Sequence, residues 1–324
     1  MRTGLLHDGT HPVTILSMLS IFSDSRKDDN MKLVTFTTGK SARLGVLRDD
    51  RVIDLATASD GRLPSDMLTF LQQGEPAMKL ACQAGLAREV AQDATGTLAL
   101  SEVTLLAPVP VPPKVVAIGQ NYMDHCREQG VEPPEWPIIF TKFPTAVVGP
   151  GAAIRWDPAL TKQVDYEVEL AVVIGRTARR VSATDALDYV AGYTICNDVS
   201  ARDLQFGDGQ WVRAKSLDTF CPLGPWLVTP DEVLDPQNLA VRCTVNGELL
   251  QDSTTAEMIF GVRELIEFSS RAFTLLPGDV IVTGTPPGVG VFRDPPVFLQ
   301  HGDVVTLEIE GLGRLTNHCV QERA

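Results

Sequence analysis

Residues 164–175 read VDYEVELAVVIG, and this stretch combines the pattern of a buried strand with three closely spaced acids. Apolar and acidic side chains alternate at its start, which predicts a β-strand with Asp165, Glu167 and Glu169 on one face. Three like charges side by side repel one another and destabilise a strand unless an opposite charge compensates them. The acids therefore either line a solvated sheet face or converge on a cation.

A further acid, Asp198, follows the strand-like run YVAGYTIC and would lie at the end of that strand. Together with Glu167 and Glu169 it makes a set of three carboxylates with no clustered His or Cys. Such a set describes a site for a hard cation that prefers oxygen ligands, namely Mg²⁺, Mn²⁺ or Ca²⁺. From the spacing alone, three solvated surface acids remain the simpler interpretation, because acidic strand positions are common.

The bulk composition excludes several classes of partner. The chain has 324 residues and a net charge of −13, which argues against binding to nucleic acid or to an anionic membrane surface. Its six cysteines are scattered without a C-x-x-C pair, so they indicate a reducing compartment and neither a disulfide framework nor a zinc site. No apolar run reaches the roughly 18–20 residues of a membrane-spanning helix.

The pattern of elements predicts a β-rich α+β protein with a rolled or barrel-like sheet. Residues 1–30 are interpreted as a poorly ordered tail, and residues 31–106 as a small N-terminal α/β domain. The proline-rich segment 107–113, APVPVPP, is predicted to be a linker, because it can neither continue a helix nor pair centrally in a sheet. Residues 114–324 then form the larger domain, made mostly of short strands.

Local signals place individual elements within these domains. Asn246-Gly247, between two strand-like runs, predicts a type I′ hairpin. Four helices are also predicted: one capped by Ser65, one over Glu75–Gln92, one starting at the capping box of Ser182, and one over Thr255–Phe273.

Two further stretches carry residue types suited to chemistry. His125 and Glu128 are three residues apart, so on a helical turn the carboxylate can orient the imidazole as a general base. Lys215 precedes an apolar, proline-rich run, and a partly desolvated ammonium would suit a substrate carboxylate or a developing oxyanion. The glycine-rich stretch 283–290, TGTPPGVG, lacks a P-loop ending but could bring its backbone and Thr285 close to a ligand. A surface ion pair, a lone lysine and a tight turn are the alternatives.

Read jointly, these stretches resemble the fumarylacetoacetate hydrolase superfamily in family order across residues 112–320. The small domain and the phrases IIFTKF and GVGVFRDPPVFL are most similar to a two-domain branch that includes the domain-containing-protein-2 group, described as oxaloacetate tautomerases. The motifs that carry the resemblance are NYMDHCRE (121–128), FTKFPTAVVGPG (140–151), VDYEVELAVVIG (164–175), AGYTICNDVSARDLQ (191–205), KSLDTFCPLGPW (215–226), LLPGDVIVTGTPPGVG (275–290) and HGDVVTLEIEGLG (301–313).

The resemblance implies a mixed β-sandwich roll, a homodimer, and a bound Mg²⁺ or Mn²⁺, with Ca²⁺ as a further option. It implies roles for ten residues. Glu167, Glu169 and Asp198 match the metal ligands; His125 and Glu128 match the water-activating pair on a lid; Lys215 matches the lysine beside the metal; Arg202, Gln205, Thr285 and Lys142 match residues that contact substrate or organise the site.

The expected substrate is a small enolisable 2-oxo acid, and the first expectation is hydrolytic C–C cleavage of an acylpyruvate or fumarylpyruvate. The alternatives are tautomerisation or decarboxylation of oxaloacetate, an isomerase or hydratase of aromatic catabolism, and a non-catalytic binding or regulatory relative. All the catalytic reactions proceed through an enolate that a dication stabilises as a Lewis acid. The expected location is the cytoplasm, or the mitochondrial matrix if the source is eukaryotic.

Overall fold

A computed structural model describes Met1 and residues 31–91 and 95–322 of the chain. Apart from Met1, the predicted tail of residues 1–30 therefore lies outside the described residues. Within these ranges, no helix combines the length and the apolar character needed to cross a membrane.

Strands dominate the described residues. They are β1 (Lys32–Thr37), β2 (Arg43–Arg48), β3 (Arg51–Asp54), β4 (Thr97–Ala99), β5 (Thr104–Leu106), β6 (Val115–Gly119), β7 (Ile138–Lys142), β8 (Val147–Val148), β9 (Ala153–Trp156), β10 (Val164–Asp165), β11 (Val168–Ile174), β12 (Val190–Asn197), β13 (Ser200–Ala201), β14 (Cys221–Val228), β15 (Ala240–Val245), β16 (Glu248–Thr254), β17 (Val280–Val282), β18 (Val304–Ile309) and β19 (Gly313–Gln321).

The helices are fewer and mostly short. They are α1 (Leu55–Ala58), α2 (Met67–Gln72), α3 (Glu75–Ala91), α4 (Met123–Gln129), α5 (Arg202–Asp208), α6 (Val212–Lys215) and α7 (Val262–Ala272).

Two large mixed sheets form the body of the molecule. The larger follows the order β4-β3-β2-β1-β14-β12-β11-β17-β6-β7, and the smaller follows β16-β15-β18-β19-β9. Most neighbours are antiparallel, but β6 runs parallel to β17 and β9 runs parallel to β19. The prediction of a β-rich α+β fold with mixed sheets is confirmed.

Strand β11 lies in the middle of the larger sheet and is buried on both faces. Val168, Leu170 and Val172 pack in a core shared with the smaller sheet. Ala171 and Val173 point the other way, into a second core formed with the N-terminal helices. Because side chains alternate along a strand, Glu169, two residues before Ala171, projects on the same side of the sheet. The strand predicted from residue 164 onward is interrupted, since Tyr166 and Glu167 belong to no strand and Val164–Asp165 form β10.

The N-terminal unit is joined to the larger sheet. Strand β1 pairs with β14 through Lys32↔Val228 and Leu33↔Leu227, so the strands before residue 107 extend the sheet of the second unit. Residues 107–113 contain no helix or strand, and Ala107 and Val109 are buried against the core. The segment thus crosses a packed surface, and the two-domain division stays a prediction.

The hairpin prediction and one helix prediction are confirmed. Asn246 and Gly247 have φ angles of 52° and 84°, the positive values that a type I′ turn between β15 and β16 requires. The predicted helix over Glu75–Gln92 is α3, described as far as Ala91. The first predicted helix exists as α2, but the prediction of Ser65 as its cap is wrong, since Asp66 accepts the Thr69 N–H at 2.8 Å.

The helix predicted at Ser182 is absent from the described residues. Ser182 Oγ donates to Asp185 Oδ2 at 2.8 Å, and only a 3₁₀ turn over Ala186–Tyr189 follows. Val190 already pairs with Ile174 in the sheet, so the chain has too few residues for a helix before β12 begins. Tertiary pairing overrides the local capping signal here.

The helix predicted over Thr255–Phe273 is α7, which starts later than expected. Thr255–Glu257 form a 3₁₀ turn, and the chain is extended from there to Val262. The cause is Asn121, which draws this segment away from helical geometry: its carbonyl oxygen accepts the Ile259 N–H and its side-chain Oδ1 accepts the Phe260 N–H.

Candidate active site

The structure brings the three predicted metal ligands together. Strands β11 and β12 are antiparallel with Val168 opposite Asn197, which places Asp198 beside Glu167. The Asp198 N–H donates to the Glu167 carbonyl oxygen at 2.9 Å. One carboxylate oxygen from each of Glu167, Glu169 and Asp198 lies within 4.8 Å of the others, and all three residues are buried. The surface interpretation of these acids is therefore wrong.

Glu169 is the member of this carboxylate triad that points most directly to a cation. It accepts one hydrogen bond, from the Gly284 N–H at 2.7 Å, and among the described residues it has no ion-pair partner. Burial, followed by the charges of Asp198 and Glu167, raises the pKa of Glu169 well above its ordinary value. A divalent cation would compensate this charge, and an all-oxygen donor set fits a hard ion.

A cavity of about 230 Å³ opens onto the carboxylate triad. Of the seven other predicted site residues, five line this cavity, and Glu128 and Lys142 do not. Its full lining is Ile118, Gly119, Gln120, His125, Gln129, Phe140, Glu167, Glu169, Asp198, Arg202, Gln205, Phe206, Trp211, Lys215, Thr285 and Phe292.

Lys215 is the cation that faces the triad. It ends the short helix α6, and its Nζ donates to Glu167 Oε2 at 2.7 Å and to Asp198 Oδ2 at 2.8 Å. Burial would lower the pKa of Lys215, but the charges of Asp198 and Glu167 outweigh it and raise that pKa. Burial likewise opposes the ionisation of Glu167, yet Lys215 and Arg202 lower its pKa to about 2. The pair is thus held as ammonium and carboxylate.

Lys142 lies behind the triad instead of in the cavity. It is fully buried, its Nζ donates to Asp198 Oδ1 at 2.6 Å, and it also donates to the carbonyl oxygens of Val199 and Lys215. Lys142 is therefore absent from the cavity lining, and of its two predicted roles, contacting substrate or organising the site, its contacts fit the second. Its contacts fix the orientation of Asp198 from the far side.

Arg202 and Gln205 reach the cavity from α5, and Asp165 holds Arg202, which in turn binds Gln205. Asp165 Oδ2 accepts the Arg202 Nε–H at 2.8 Å, and Arg202 Nη1 donates to Gln205 Oε1 at 2.9 Å. Arg202 Nη2 lies 2.7 Å from Glu167 Oε1, an ion pair whose angle does not meet hydrogen-bond geometry. Asp165, fully buried, also accepts the backbone N–H groups of Gly290 and Val291.

The glycine-rich stretch supplies backbone donors to three separate acids. Besides the bond to Glu169, the Gly288 N–H donates to Glu128 Oε1 at 2.8 Å and the Gly290 N–H donates to Asp165 Oδ1 at 2.7 Å. Thr285 lines the cavity, but its hydroxyl donates to the Val168 carbonyl oxygen and accepts from Gln251. The loop thus organises the site mainly through its backbone N–H groups, and a pattern of side chains does not predict such a role.

His125 and Glu128 lie on α4 in the predicted geometry. His125 Nδ1 and Glu128 Oε2 are 2.8 Å apart, and His125 is 7% exposed at the cavity wall. Because Nδ1 faces the carboxylate, the ring carries its proton there and leaves Nε2 for a ligand. The pair is a histidine–carboxylate dyad anchored to the glycine-rich loop through Gly288, and not a surface ion pair.

Comparison with known families agrees with this geometry. Residues 114–320 match the family described as fumarylacetoacetate (FAA) hydrolase, C-terminal. The chain belongs to the fumarylacetoacetate hydrolase family. It is therefore an enzyme of that family, and its match covers every candidate site residue named above.

Relatives of this fumarylacetoacetate hydrolase family member match it over most of its length. Oxaloacetate tautomerase FAHD2A, mitochondrial, of Bos taurus is 52% identical over 297 residues, which are 90% of this chain and 92% of that protein. Oxaloacetate tautomerase fahd2, mitochondrial, of Xenopus laevis is 48% identical over 297 residues, 90% and 91% of the two chains. The solved structure of a fumarylacetoacetate hydrolase from Exiguobacterium antarcticum has a TM-score of 0.78 and 40% identity, covering 90% and 100%.

The family's sequence motifs account for the polar floor of this cavity but not for its other wall. That wall is aromatic, and the side chains concerned were not predicted: they are Phe140, Phe206, Trp211 and Phe292. Phe206 and Trp211 are the first and last residues of the stretch FGDGQW, which directly follows the Arg202–Gln205 motif. The site of this family member therefore combines acid–base groups, a carboxylate triad and an aromatic wall in one cavity.

Proposed function

We propose that this enzyme interconverts the keto and enol forms of oxaloacetate, with Mg²⁺ or Mn²⁺ as its cofactor. The observation that carries the proposal is that His125, held by Glu128, and the buried ammonium of Lys215 line the same small cavity as the carboxylate triad. This is the set of groups that moving a proton next to a carbonyl requires. The choice of oxaloacetate is supported by the names of the relatives from Bos taurus and Xenopus laevis.

The cation would be held by Glu167, Glu169 and Asp198. When bound, it supplies Lewis acidity that polarises a 2-oxo group and stabilises the negative charge that develops on its oxygen. Lys142 and the Gly284 N–H fix two of these carboxylates from outside the cavity, so the ligand set is already in place before a cation arrives.

His125 is the group that moves the proton. Its Nε2 accepts the proton from the C3 carbon of the keto form, the C–H electron pair forms the C2–C3 double bond, and the carbonyl electrons move to the C2 oxygen. The imidazolium is stabilised by Glu128 at 2.8 Å, and it returns the proton to that oxygen to give the enol. Lys215 contributes a fixed positive charge beside the oxygen while it is negative.

Arg202 and Gln205 would bind the substrate's carboxylate. Asp165 accepts a hydrogen bond from Arg202, so the guanidinium already has a fixed orientation before substrate binds. The substrate therefore does not have to order this side chain when it binds. Thr285 shapes the floor between them and the triad, since its hydroxyl is already committed to Val168 and Gln251.

Hydrolytic C–C cleavage of an acylpyruvate, the first expectation from the sequence, becomes the competing reaction. In the same cavity His125 would then take its proton from a water molecule that attacks the distal carbonyl. The two reactions differ in their substrates and products, which makes them separable in one assay.

The test follows ultraviolet absorbance of enol-oxaloacetate and of acetylpyruvate with enzyme and Mg²⁺. We expect fast ketonisation of enol-oxaloacetate, stable acetylpyruvate, and a loss of about 10²–10⁴-fold in rate for His125→Ala. His301→Ala is the matched control, because His301 is exposed and lies outside the cavity lining, and it should retain the wild-type rate. Rapid loss of acetylpyruvate with unchanged enol-oxaloacetate would refute the proposal in favour of hydrolysis.

We further infer that the enzyme works as a homodimer in the mitochondrial matrix of a eukaryotic source, in place of the cytoplasm. The word mitochondrial in the names of both relatives supports the location. The dimer rests on the family resemblance. Fluorescence microscopy of the tagged full-length chain tests the location, and light scattering of the purified protein tests the dimer.

A further inference from the structure

Trp211 forms part of the cavity wall, and the backbone at Gly119 determines where its indole ring lies. Strand β6 ends at Gly119, and a Cβ atom at that residue would lie 2.3 Å from Cζ3 of Trp211. The indole ring therefore fills space that only a glycine leaves open. It also meets the ring of Phe140 edge to face, with the ring centroids 5.3 Å apart and an interplanar angle of 75°. Close packing against both residues holds the indole in place.

The same residue begins the helical turn that carries Lys215. The Lys215 N–H donates to the Trp211 carbonyl oxygen at 3.0 Å, and Lys215 Nζ lies 5.4 Å from the centroid of the Phe140 ring. Wall and ammonium are thus parts of one packed unit made of Trp211, Phe140 and α6. The distance between the charged floor of the cavity and its aromatic wall is set by this packing.

The other two aromatic residues of the lining are differently placed. Phe206 is 62% exposed and Phe292 is 41% exposed, so their rings lie at the open side of the cavity and have room to turn outward. Trp211 and Phe140 are half-buried and pack against each other. Of the aromatic lining, the Trp211–Phe140 pair is therefore the part that cannot give way to a larger ligand.

The cavity volume sets the scale of what this wall excludes. An apolar cavity of about 150 Å³ holds one benzene molecule. The cavity here measures about 230 Å³ and must also take the cation and the 2-oxo acid group of the substrate. An aryl ring at the far end of a dioxo acid would need most of that volume, whereas the single carboxymethyl group of oxaloacetate would not.

We propose that Trp211 is a specificity-determining residue that limits substrates to short 2-oxo acids and rejects dioxo acids with a bulky distal group. This inference rests on the proposed function, whose substrate it explains. Trp211 would then be the side chain that rejects aryl acylpyruvates. Gly119, which has no Cβ, would be the residue that leaves room for its indole ring.

The experiment measures binding by titration calorimetry in Mg²⁺ with two probes, oxalate and 2,4-dioxo-4-phenylbutanoate. Oxalate reports on the cation site and is too small to reach the wall. We expect the wild-type protein to bind oxalate and to bind the phenyl probe weakly, and Trp211→Ala to bind the phenyl probe roughly tenfold more tightly. Trp136→Ala is the matched control, since Trp136 is 65% exposed and outside the cavity lining; it should behave as wild type.

Gly119→Ala tests the same idea in the opposite direction. The added Cβ would push the indole into the cavity, so this variant should bind oxalate and lose affinity for oxaloacetate by roughly tenfold. It also keeps the proposal testable if Trp211→Ala does not fold.

Three results would overturn the proposal. They are equal binding of the phenyl probe by the wild type and Trp211→Ala, loss of oxalate binding in Trp211→Ala, and unchanged oxaloacetate affinity in Gly119→Ala. The second would mean that the indole supports the cation site and does not limit its ligands. Failure of the proposed function would look different, because the binding constants would follow expectation while enol-oxaloacetate stayed unconverted.

Discussion

Glu169 differs from the other two acids of the triad in how its charge is compensated. Glu167 and Asp198 each have a lysine within 2.8 Å, whereas the Gly284 N–H is the only partner of Glu169 in the part of the chain that the structure describes. In the metal-free protein, burial and the two neighbouring acids raise its pKa above the ordinary value of 4.5. A carboxyl group with a raised folded-state pKa stabilises the fold fully below its unfolded pKa, and that contribution is lost as the pH rises through the folded pKa.

We therefore predict that Glu169→Gln stabilises the metal-free protein near neutral pH while abolishing activity. The glutamine keeps the size of the side chain and an oxygen for Gly284, but it carries no charge to desolvate. The gain in the free energy of unfolding should be at least about 1 kcal/mol at pH 8 and vanish near pH 4.5, measured by urea unfolding in EDTA.

Glu167→Gln is the control, with an expected effect of opposite sign. The pKa of that carboxylate is lowered to about 2, so the substitution should destabilise the protein above pH 4.5. Equal stability of wild type and Glu169→Gln at both pH values would contradict the prediction.

Single residues in this site were predictable to different degrees. The triad residues and the His125–Glu128 pair follow from residue types and spacing once the family motifs are noticed. The partners of Asp165 did not follow, because they are Arg202 and the amides of Gly290 and Val291, which lie 37, 125 and 126 residues away along the chain. The single strand face predicted for the three acids is interrupted, since Asp165 lies in β10, which pairs with β13, and Glu169 lies in β11 of the larger sheet.

At the scale of elements, the glycine-rich loop between β17 and the Gly290–Phe292 turn connects the two halves of the site. Its amides bind Glu169 of the triad and Glu128 of the dyad, so the loop sets how the base faces the cation site. Gly288 has a φ of +97°, and a Cβ there would lie 2.0 Å from the Leu250 carbonyl oxygen. Glycine is required at this position by both conformation and space.

We predict that Gly288→Ala lowers kcat by about tenfold or more, because the loop must move and withdraw its N–H from Glu128. Gly302→Ala is the matched control: Gly302 has a similar φ of +91°, but nothing lies within 4 Å of the added Cβ. The control should cost about 1–2 kcal/mol of stability from backbone strain and leave kcat unchanged. Steady-state kinetics and thermal unfolding of the two variants separate the effects, and equal kcat values would show that the loop does not position the dyad.

The two errors in helix prediction have the same physical cause. The helix expected at Ser182 and the first turn of the helix expected at Thr255 have suitable local sequences. In the fold, Val190 pairs with Ile174 and Asn121 binds Ile259 and Phe260, so distant partners claim these backbone groups. Hairpins closed by positive-φ residues, such as Asn246-Gly247, were predicted correctly because their signal is complete within the turn.

At the scale of the whole molecule, the N-terminal unit and the catalytic unit share one sheet and one core. Leu33 and Val46 of the first unit, Ala171 and Val173 of β11, and Leu227 of β14 belong to the same buried cluster. Ala107 and Val109 of the predicted linker belong to this cluster as well, and burial across the boundary is a long-range property that composition does not encode. Ala171 and Val173 lie two and four residues after Glu169 of the triad in β11, so this core also supports the site.

We predict that the protein unfolds in a single calorimetric transition, because neither unit can lose its structure without exposing the shared core. Substituting Leu33 with Ala, which creates a cavity at the joint, should lower the stability by about 2–5 kcal/mol and shift the entire transition. Differential scanning calorimetry in EDTA provides the measurement. Two resolved transitions, or a shift of only one part of the heat-absorption curve, would mean that the units unfold independently.

A divalent cation at the triad should raise the stability of the whole molecule, since Glu169 lies in β11, Glu167 directly precedes that strand and Asp198 directly follows β12, so the cation would link two neighbouring parts of the central sheet. A ligand that binds only the folded state stabilises it by about 2.7 kcal/mol at a concentration of 100 times its Kd. We therefore predict a Tm that rises by several degrees between EDTA and saturating Mg²⁺ or Mn²⁺. The matched control is Glu169→Gln, which keeps the fold but lacks the acid that most needs the cation, so its Tm should respond little to either ion. An unchanged wild-type Tm under EDTA would count against a cation at the triad, and an equal rise in both proteins would place the ion elsewhere.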